Sequence, residues 1–326
     1  MILIPNPWAD ISTPSPGLLS RRRVNVESQH ELLWFRDEEG HPGLLIEVER
    51  SVAPTQLYAF GINLRDVLVN IIELPDKRFN VLSIRLTDES KTDIFSRLCH
   101  DIAERVTKAD KRESAFHISC NRLKKWQSLF AGRTSGLLTA NEIQGLFAEL
   151  YFLSEMLESS AIRQEEVVRG WKGPDRAQQD FVLNDTAVEI KSLTGQNRGK
   201  VRISSEDQLY SHLGRLFLRV YLLSEVYDTP SGENLNSLVN RISARITEEE
   251  LREIFETTLE TAGYIDLPEY EQPQFIIKNC LTYQVSDSFP RIIRQTLPAG
   301  IQAVSYDLLL AVIEPFRVSD AEILEK

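Results

Sequence analysis

The stretch Asp180-Phe-Val-Leu-Asn-Asp-Thr-Ala-Val-Glu189-Ile-Lys191 constrains this chain more than any other. It reads as two short strands reversing at Asn184-Asp185, a dipeptide that tolerates the positive φ of a tight hairpin turn. With those two residues as the loop, Leu183 faces Thr186, and counting outward places Asp180 opposite Glu189. Directly opposed residues carry Cβ atoms about 5 Å apart, so both carboxylates are expected within reach of one cation. Lys191, two positions beyond Glu189, shares that face, whereas Val188 and Ile190 point the other way, into a core. Two carboxylates and a lysine so placed make a metal-dependent hydrolytic site. A hard divalent ion such as Mg²⁺, with Mn²⁺ able to substitute, takes oxygen ligands and keeps several waters. It lowers the pKa of a bound water and polarises a scissile phosphate. A nearby ammonium orients that water or stabilises developing negative charge.

The set Asp180…Glu189-Ile190-Lys191 resembles the PD-(D/E)XK signature of many restriction and repair endonucleases. Gly170-Trp171-Lys172-Gly173-Pro174 and Glu189-Ile-Lys-Ser192 resemble one bacterial branch, the PD-(D/E)XK motif proteins encoded among DNA-modification and phage-defence genes. The resemblance covers roughly residues 135–215. It implies a restriction-endonuclease-like fold and a Mg²⁺-dependent endonuclease acting on DNA in restriction or phage defence. It also implies a methyltransferase or ATPase as protein partner. The short signature is unspecific by itself: Pro75-Asp76 followed by Glu89-Ser90-Lys91 satisfies it too. There, Thr87-Asp88-Glu89-Ser90 reads as the cap of a helix carrying Ile94, Leu98 and Ile102, so that copy is a solvated helix start. Asp175 follows Pro174 as the family name has it, but precedes the strand. Asp180 has Glu189 opposite and is the preferred ligand.

Upstream, Thr139-Ala-Asn-Glu142 forms a capping box before a helix striped by Ile143, Leu146, Phe147, Leu150, Leu153 and Leu157. Glu142 and Glu149 border that stripe. In the resembled superfamily a helix before the core often supplies an acid, which makes Glu149 a candidate third metal ligand; an ordinary solvated flank is the other reading. Downstream, Lys200-Val-Arg-Ile203 reads as a third strand. Lys200 and Arg202, with Arg198, either contact substrate phosphates or face water. Family analogy has Gln208 touching substrate or holding the attacking water, and a capped helix turn is the alternative. A second basic cluster, Arg122, Lys124, Lys125 and Arg133 around Trp126, reads as a solvated face.

At 326 residues the chain exceeds one ordinary domain. Hairpins at Glu31–Arg36 with Leu44–Val48 and at Leu68–Ile72 with Asn80–Ile84 predict a mainly β N-terminal domain, residues 1–112, for binding or partner docking. One helix, Lys91–Thr107, completes it before the polar run Lys108–Glu113. Residues 113–326 then form an α+β or α/β nuclease-like domain, a mixed sheet flanked by helices. It opens with a helix near 114–131, has strands at Arg215–Leu223, Phe275–Gln284 and Tyr306–Ile313, and helices near 235–246 and 248–262.

No long apolar run and no basic leader occurs, so a cytoplasmic protein without membrane contact is expected. Cys99, Cys120 and Cys280, far apart and odd in number, read as reduced thiols and exclude a paired thiolate zinc site. The scattered histidines, His30, His41, His100, His117 and His212, show no ligand spacing, and no phosphate-cradling glycine-lysine loop occurs. Net charge of −11 counts against a free-standing DNA binder, since phosphate contacts call for lysine and arginine. Either the basic residues gather at the site or a partner delivers the DNA. The competing function is therefore a non-catalytic scaffold or regulatory subunit of a DNA-targeting complex; a homo-oligomer is compatible with both.

Overall fold

Apolar alternation in the first third of the chain builds a five-stranded antiparallel sheet. Its strands are β1 (Ser20–Arg23), β2 (Leu32–Arg36), β3 (Pro42–Glu49), β4 (Val67–Ile72) and β5 (Phe79–Leu86), in the order β1-β2-β3-β5-β4. A computed structural model describes residues 6–24, 30–75, 77–108, 112–132, 137–159, 161–175, 177–195 and 199–324. Asp76, Arg133 and Arg198 lie outside those described residues.

Strand β3 is central and buried along nearly its whole length. Gly43 is required there, because a Cβ would lie 2.2 Å from the Phe35 ring and 2.7 Å from the Ile84 carbonyl oxygen. Helix α1 (Pro54–Ala59) follows β3, and helices α2 (Thr92–Thr107) and α3 (Arg112–Gly132) pack on β3. Trp8 closes this core: its ring stacks on Phe95 at 5.3 Å, and its indole N–H donates to the Gly43 carbonyl at 2.8 Å.

Two compact units result, Met1–Leu137 and Leu138–Lys326. The division falls after α3, not at the polar run near residue 112, so the helix expected to open the second unit belongs to the first. A buried polar knot explains this. Asp101 of α2 accepts hydrogen bonds from Arg122 Nε and Trp126 Nε1 of α3, both at 2.7 Å, and from Arg105 Nε at 2.9 Å. Arg122 is thus an interior ion-pair partner beside buried Trp126 and not part of a solvated face, whereas Lys124 is exposed and Lys125 half-buried. The second copy of the nuclease pattern is a helix start, as read: Asp88 caps the Ser90 N–H, and Lys91 pairs with Asp66.

In the second unit Thr139 caps helix α4 (Ala140–Glu158) through the expected box with Glu142. Helix α5 (Gln164–Gly170) leads to β6 (Phe181–Leu183), β7 (Thr186–Leu193), β8 (Lys200–Ile203) and β9 (Arg215–Val226). Then come β10 (Glu233–Asn234), α6 (Leu235–Arg245), α7 (Glu249–Thr261) and β11 (Gln274–Gln284). The last elements are β12 (Tyr306–Leu309), α8 (Leu310–Ile313) and β13 (Arg317–Val318). The sheet runs β10-β11-β9-β7-β6, with β13 on β11, and β7 pairs parallel with β9 while its other ladders are antiparallel. This is the mixed α+β architecture expected.

Two elements differ from expectation. Strand β8 leaves the main sheet and, among the described residues, pairs only with β12. The β12 run stops at Leu309 because Leu310 and Ile313, three residues apart and both buried, take helical spacing. Cys99 and Cys120 are buried and Cys280 half-buried, all free thiols. No helix among the described residues is long and apolar enough to cross a membrane.

Removing Asp101 takes away the carboxylate that a buried guanidinium and a buried indole N–H share. Asp101→Ala is expected to lower stability by about 3–5 kcal/mol in urea or thermal denaturation, and a loss below about 1 kcal/mol would show the knot to be dispensable.

Candidate active site

The hairpin has the register its sequence specifies: Leu183 pairs with Thr186 and Phe181 with Val188, so the next step outward sets Asp180 against Glu189. Asn184 takes the positive φ, 53°. Asp185 fastens the turn to β9, accepting the Gly214 N–H at 2.8 Å on its carboxylate and the Arg215 N–H at 3.1 Å on its carbonyl. A Cβ at position 214 would lie 2.1 Å from that carboxylate, which would have to shift. These bonds set the parallel register of β7 on β9, with Glu189 beside Leu218 and Lys191 beside Val220.

Asp180 lies just where the β6 ladder ends. Its Oδ2 accepts the Ile190 N–H at 2.7 Å, so the carboxylate sits against the β7 backbone between Glu189 and Lys191. The Gly-Trp-Lys-Gly element wraps it from the other side. The N–H groups of Lys172 and Gly173 donate to the Asp180 carbonyl at 2.7 and 3.0 Å. Trp171, fully packed, donates its indole N–H to Glu149 Oε2 at 2.8 Å. Gly173 separates the two acids: a Cβ there would lie 2.3 Å from Glu149 Oε2 and 3.2 Å from Asp180 Oδ1. Helix α4 delivers Glu149 because Gln144, one turn and a half earlier, bonds the Ser192 carbonyl at the end of β7 at 3.1 Å.

Glu189 is 1% exposed; its Oε1 accepts from Lys191 Nζ at 2.6 Å, and its buried Oε2 has no hydrogen-bond partner. Lys191 Nζ also lies 3.4 Å from Gln208 Oε1, which accepts the Ser204 N–H at 2.7 Å. Gln179, buried beside Asp180, holds that loop by donating to the carbonyls of Asp207, Gln208 and Tyr210 at 3.0, 3.3 and 2.7 Å.

The charges act on one another. Burial pushes Glu149 well above the usual carboxylate range, and Asp180 and Glu189 add to that against the Trp171 N–H. Burial also raises Asp180, opposed by Lys191 and the Ile190 N–H. Glu189 is pushed up to about 8 by burial and by Asp180. For Lys191, burial favours proton loss, but Glu189, Asp180 and Glu149 outweigh it, and the ammonium keeps its proton.

The structure therefore brings together Glu149, Asp180, Glu189, Lys191 and Gln208. Asp175 is exposed on the short turn Gly173–Asp175 and is not among the groups acting on these charges. Lys200 and Arg202 point to the exposed side of β8, where both pair with Asp307 of β12 at 2.6 and 3.2 Å. Sequence reasoning missed the bonds from Trp171 and Gln179; the signals were the Gly170-Trp171-Lys172-Gly173-Pro174 element for the first and a polar residue next to the proposed ligand for the second.

The donor set suits a hard divalent cation: three carboxylates face one ammonium, and one buried carboxylate oxygen lacks a partner. Among the described residues, the one trio of ligand atoms all within 4.8 Å of one another is elsewhere, at Asp37, Glu39 and His41. Asp37 there is committed to Arg85 and to the N–H groups of Glu39 and His41, which makes a turn brace. The acids of the hairpin site do not close to that spacing because Trp171 holds Glu149 and Lys191 occupies Glu189.

The model of the family described as "Putative PD-(D/E)XK family member, (DUF4420)" matches residues 4–311. No curated protein and no solved structure matches the chain.

The raised acids fix the sign of a pH dependence. Glu189 titrates near 4.5 when unfolded and about 8 when folded, so the folded state binds the extra proton between those values. Stability of the metal-free protein is then greatest at the acidic end of that window and falls as pH rises through it. Thermal melts in chelator should show this fall and a shallower one for Glu189→Gln. Equal slopes for the two proteins would remove Glu189 as its source.

Proposed function

This chain belongs to the PD-(D/E)XK family, and from that membership we propose that it is a Mg²⁺-dependent DNA endonuclease of a bacterial restriction or phage-defence system. The observation that carries the proposal is the convergence of Glu149, Asp180 and Glu189 on one ammonium, with Glu189 Oε2 buried and unpartnered.

Glu149, Asp180 and Glu189 would hold the metal. When bound, a divalent ion supplies Lewis acidity toward the phosphodiester and a water of lowered pKa. Protonated Lys191 cannot accept a proton from water; it orients the nucleophile and stabilises charge growing on the phosphate oxygens. Gln208, anchored by the Ser204 N–H, steadies the ammonium when Glu189 is drawn elsewhere. Trp171 fixes the Glu149 carboxylate and keeps bulk water from that side. Lys200 and Arg202 would reach substrate phosphates in competition with Asp307. A methyltransferase or ATPase partner fits the absence of any nucleotide-cradling loop in a chain of net charge −11.

Purified protein, with plasmid DNA and Mg²⁺ or Mn²⁺, is the test. Asp180→Ala, Glu189→Ala and Lys191→Ala are each expected to slow cleavage by about 10²-fold or more. Equal cleavage by wild type and by the Asp180→Ala, Glu189→Ala double variant would remove this site. Complexes with a partner but no hydrolysis, even with metal supplied, would place the chain with the non-catalytic scaffolds. Trp171→Phe, which keeps the ring and deletes the N–H, should raise the Mg²⁺ concentration needed for half-maximal rate by about 10–100-fold; an unchanged requirement would deny Glu149 a role as ligand.

A further inference from the structure

We propose that strand β1, Ser20-Arg21-Arg22-Arg23, is a contact surface for the phosphate backbone of DNA. The identity of the polyanion rests on the nuclease reading; the surface itself rests on separate observations.

Three consecutive basic residues occur at this one place in the chain. Among the described residues they lie on an edge strand, bonded to β2 on one side only, and all three side chains are exposed. Register sorts them onto two faces. Arg22 pairs with Trp34, whose ring meets Trp8 at 5.5 Å, so Arg22 lies on the core side. There it donates to the Pro7 carbonyl at 2.6 Å and faces Asp10 at 3.5 Å. Arg21 and Arg23 pair with Phe35 and Leu33 and share the opposite face. Among the described residues neither has an ion pair or a hydrogen bond.

No acid neutralises Arg21 or Arg23 among the described residues. Charged residues on an edge strand do deter strand-to-strand aggregation, but acidic or lysine side chains serve that purpose equally. Lys200 and Arg202, also on an exposed strand face, are neutralised by Asp307. Arg21 and Arg23 are left available. Guanidinium groups present planar donor forks that match phosphate oxygens, and their weaker hydration makes that exchange favourable. Two such groups at alternate positions of an extended strand stand about 6.6 Å apart along it, in a row that suits a polymer of anions better than an isolated one.

The full-length protein would be titrated against fluorescent duplex DNA in chelator, which suppresses cleavage, from about 50 to 200 mM KCl. Loss of two phosphate contacts in Arg21→Ala with Arg23→Ala should make the slope of log affinity against log salt shallower by about 1.8. Arg21→Gln with Arg23→Gln, which keeps side-chain bulk on the strand, should show the same change, and the double lysine variant should retain the wild-type slope. Slopes equal to wild type in both neutral variants, or no salt-dependent binding by wild type at the lowest salt, would overturn the proposal. Asp180→Ala is expected to keep the wild-type slope. An arginine-dependent slope in a protein that never cleaves would sink the nuclease reading alone; cleavage with an arginine-independent slope would sink this one alone.

Discussion

Three acids crowded together away from water are the constraint on which the second unit depends. Glu149, Asp180 and Glu189 each lose hydration, and each recovers only part of it. Trp171 gives Glu149 one N–H, Ile190 gives Asp180 one, Lys191 serves Glu189, and one oxygen of Glu189 gets nothing. Apolar side chains of similar volume would be as stable or more so at such positions. Three crowded acids around one ammonium make a candidate functional site, since strongly perturbed groups gather where chemistry requires them.

The surrounding fold can be read as what that crowding demands. The main sheet supplies a rigid floor through the parallel β7 and β9 ladder. Gln144 at the end of β7 fixes helix α4 lengthwise, and Gln179 ties the loop bearing Gln208 to the residue before Asp180. Gly173 is small because two carboxylates flank it. None of these contacts touches the reacting groups through more than one bond, yet each removes a freedom that repulsion would otherwise exploit.

How much of this was legible follows from the range of the interactions. The hairpin register depends on a two-residue turn and a period of two, both local, so Asp180, Glu189 and Lys191 could be placed from sequence. The helix of Glu149 was legible from its capping box and stripe; that Glu149 turns inward was not, because Trp171 lies 22 residues away. Likewise Lys200 and Arg202 read as a basic pair beside the site, but Asp307, more than 100 residues on, neutralises them. The cluster at Trp126 read as solvated because the burying partner, Asp101, sits on another helix. Strand β8 was legible as a strand, but its pairing with β12 was not, because alternation reveals a strand and says nothing of what pairs with it.

Net charge is a poor guide to polyanion binding when cations are distributed this unevenly. Many arginines here are spent internally: Arg122 on Asp101, Arg219 on Glu155, Arg241 on Glu233. An excess of acid elsewhere on the surface is screened beyond about 8 Å at physiological ionic strength, so a small unpaired basic surface retains its own attraction. Its strength is nonetheless bounded. Tight, strongly salt-dependent DNA binders neutralise about six to ten phosphates, and two free arginines fall short of that. Under the proposed function, a chain so arranged would hold DNA loosely and gain residence from further contacts, which a partner bound to the same DNA would supply. Under the same proposed function, the acidic balance and the exposed arginines are two sides of one arrangement, in which the chain is kept off DNA until something else brings it there.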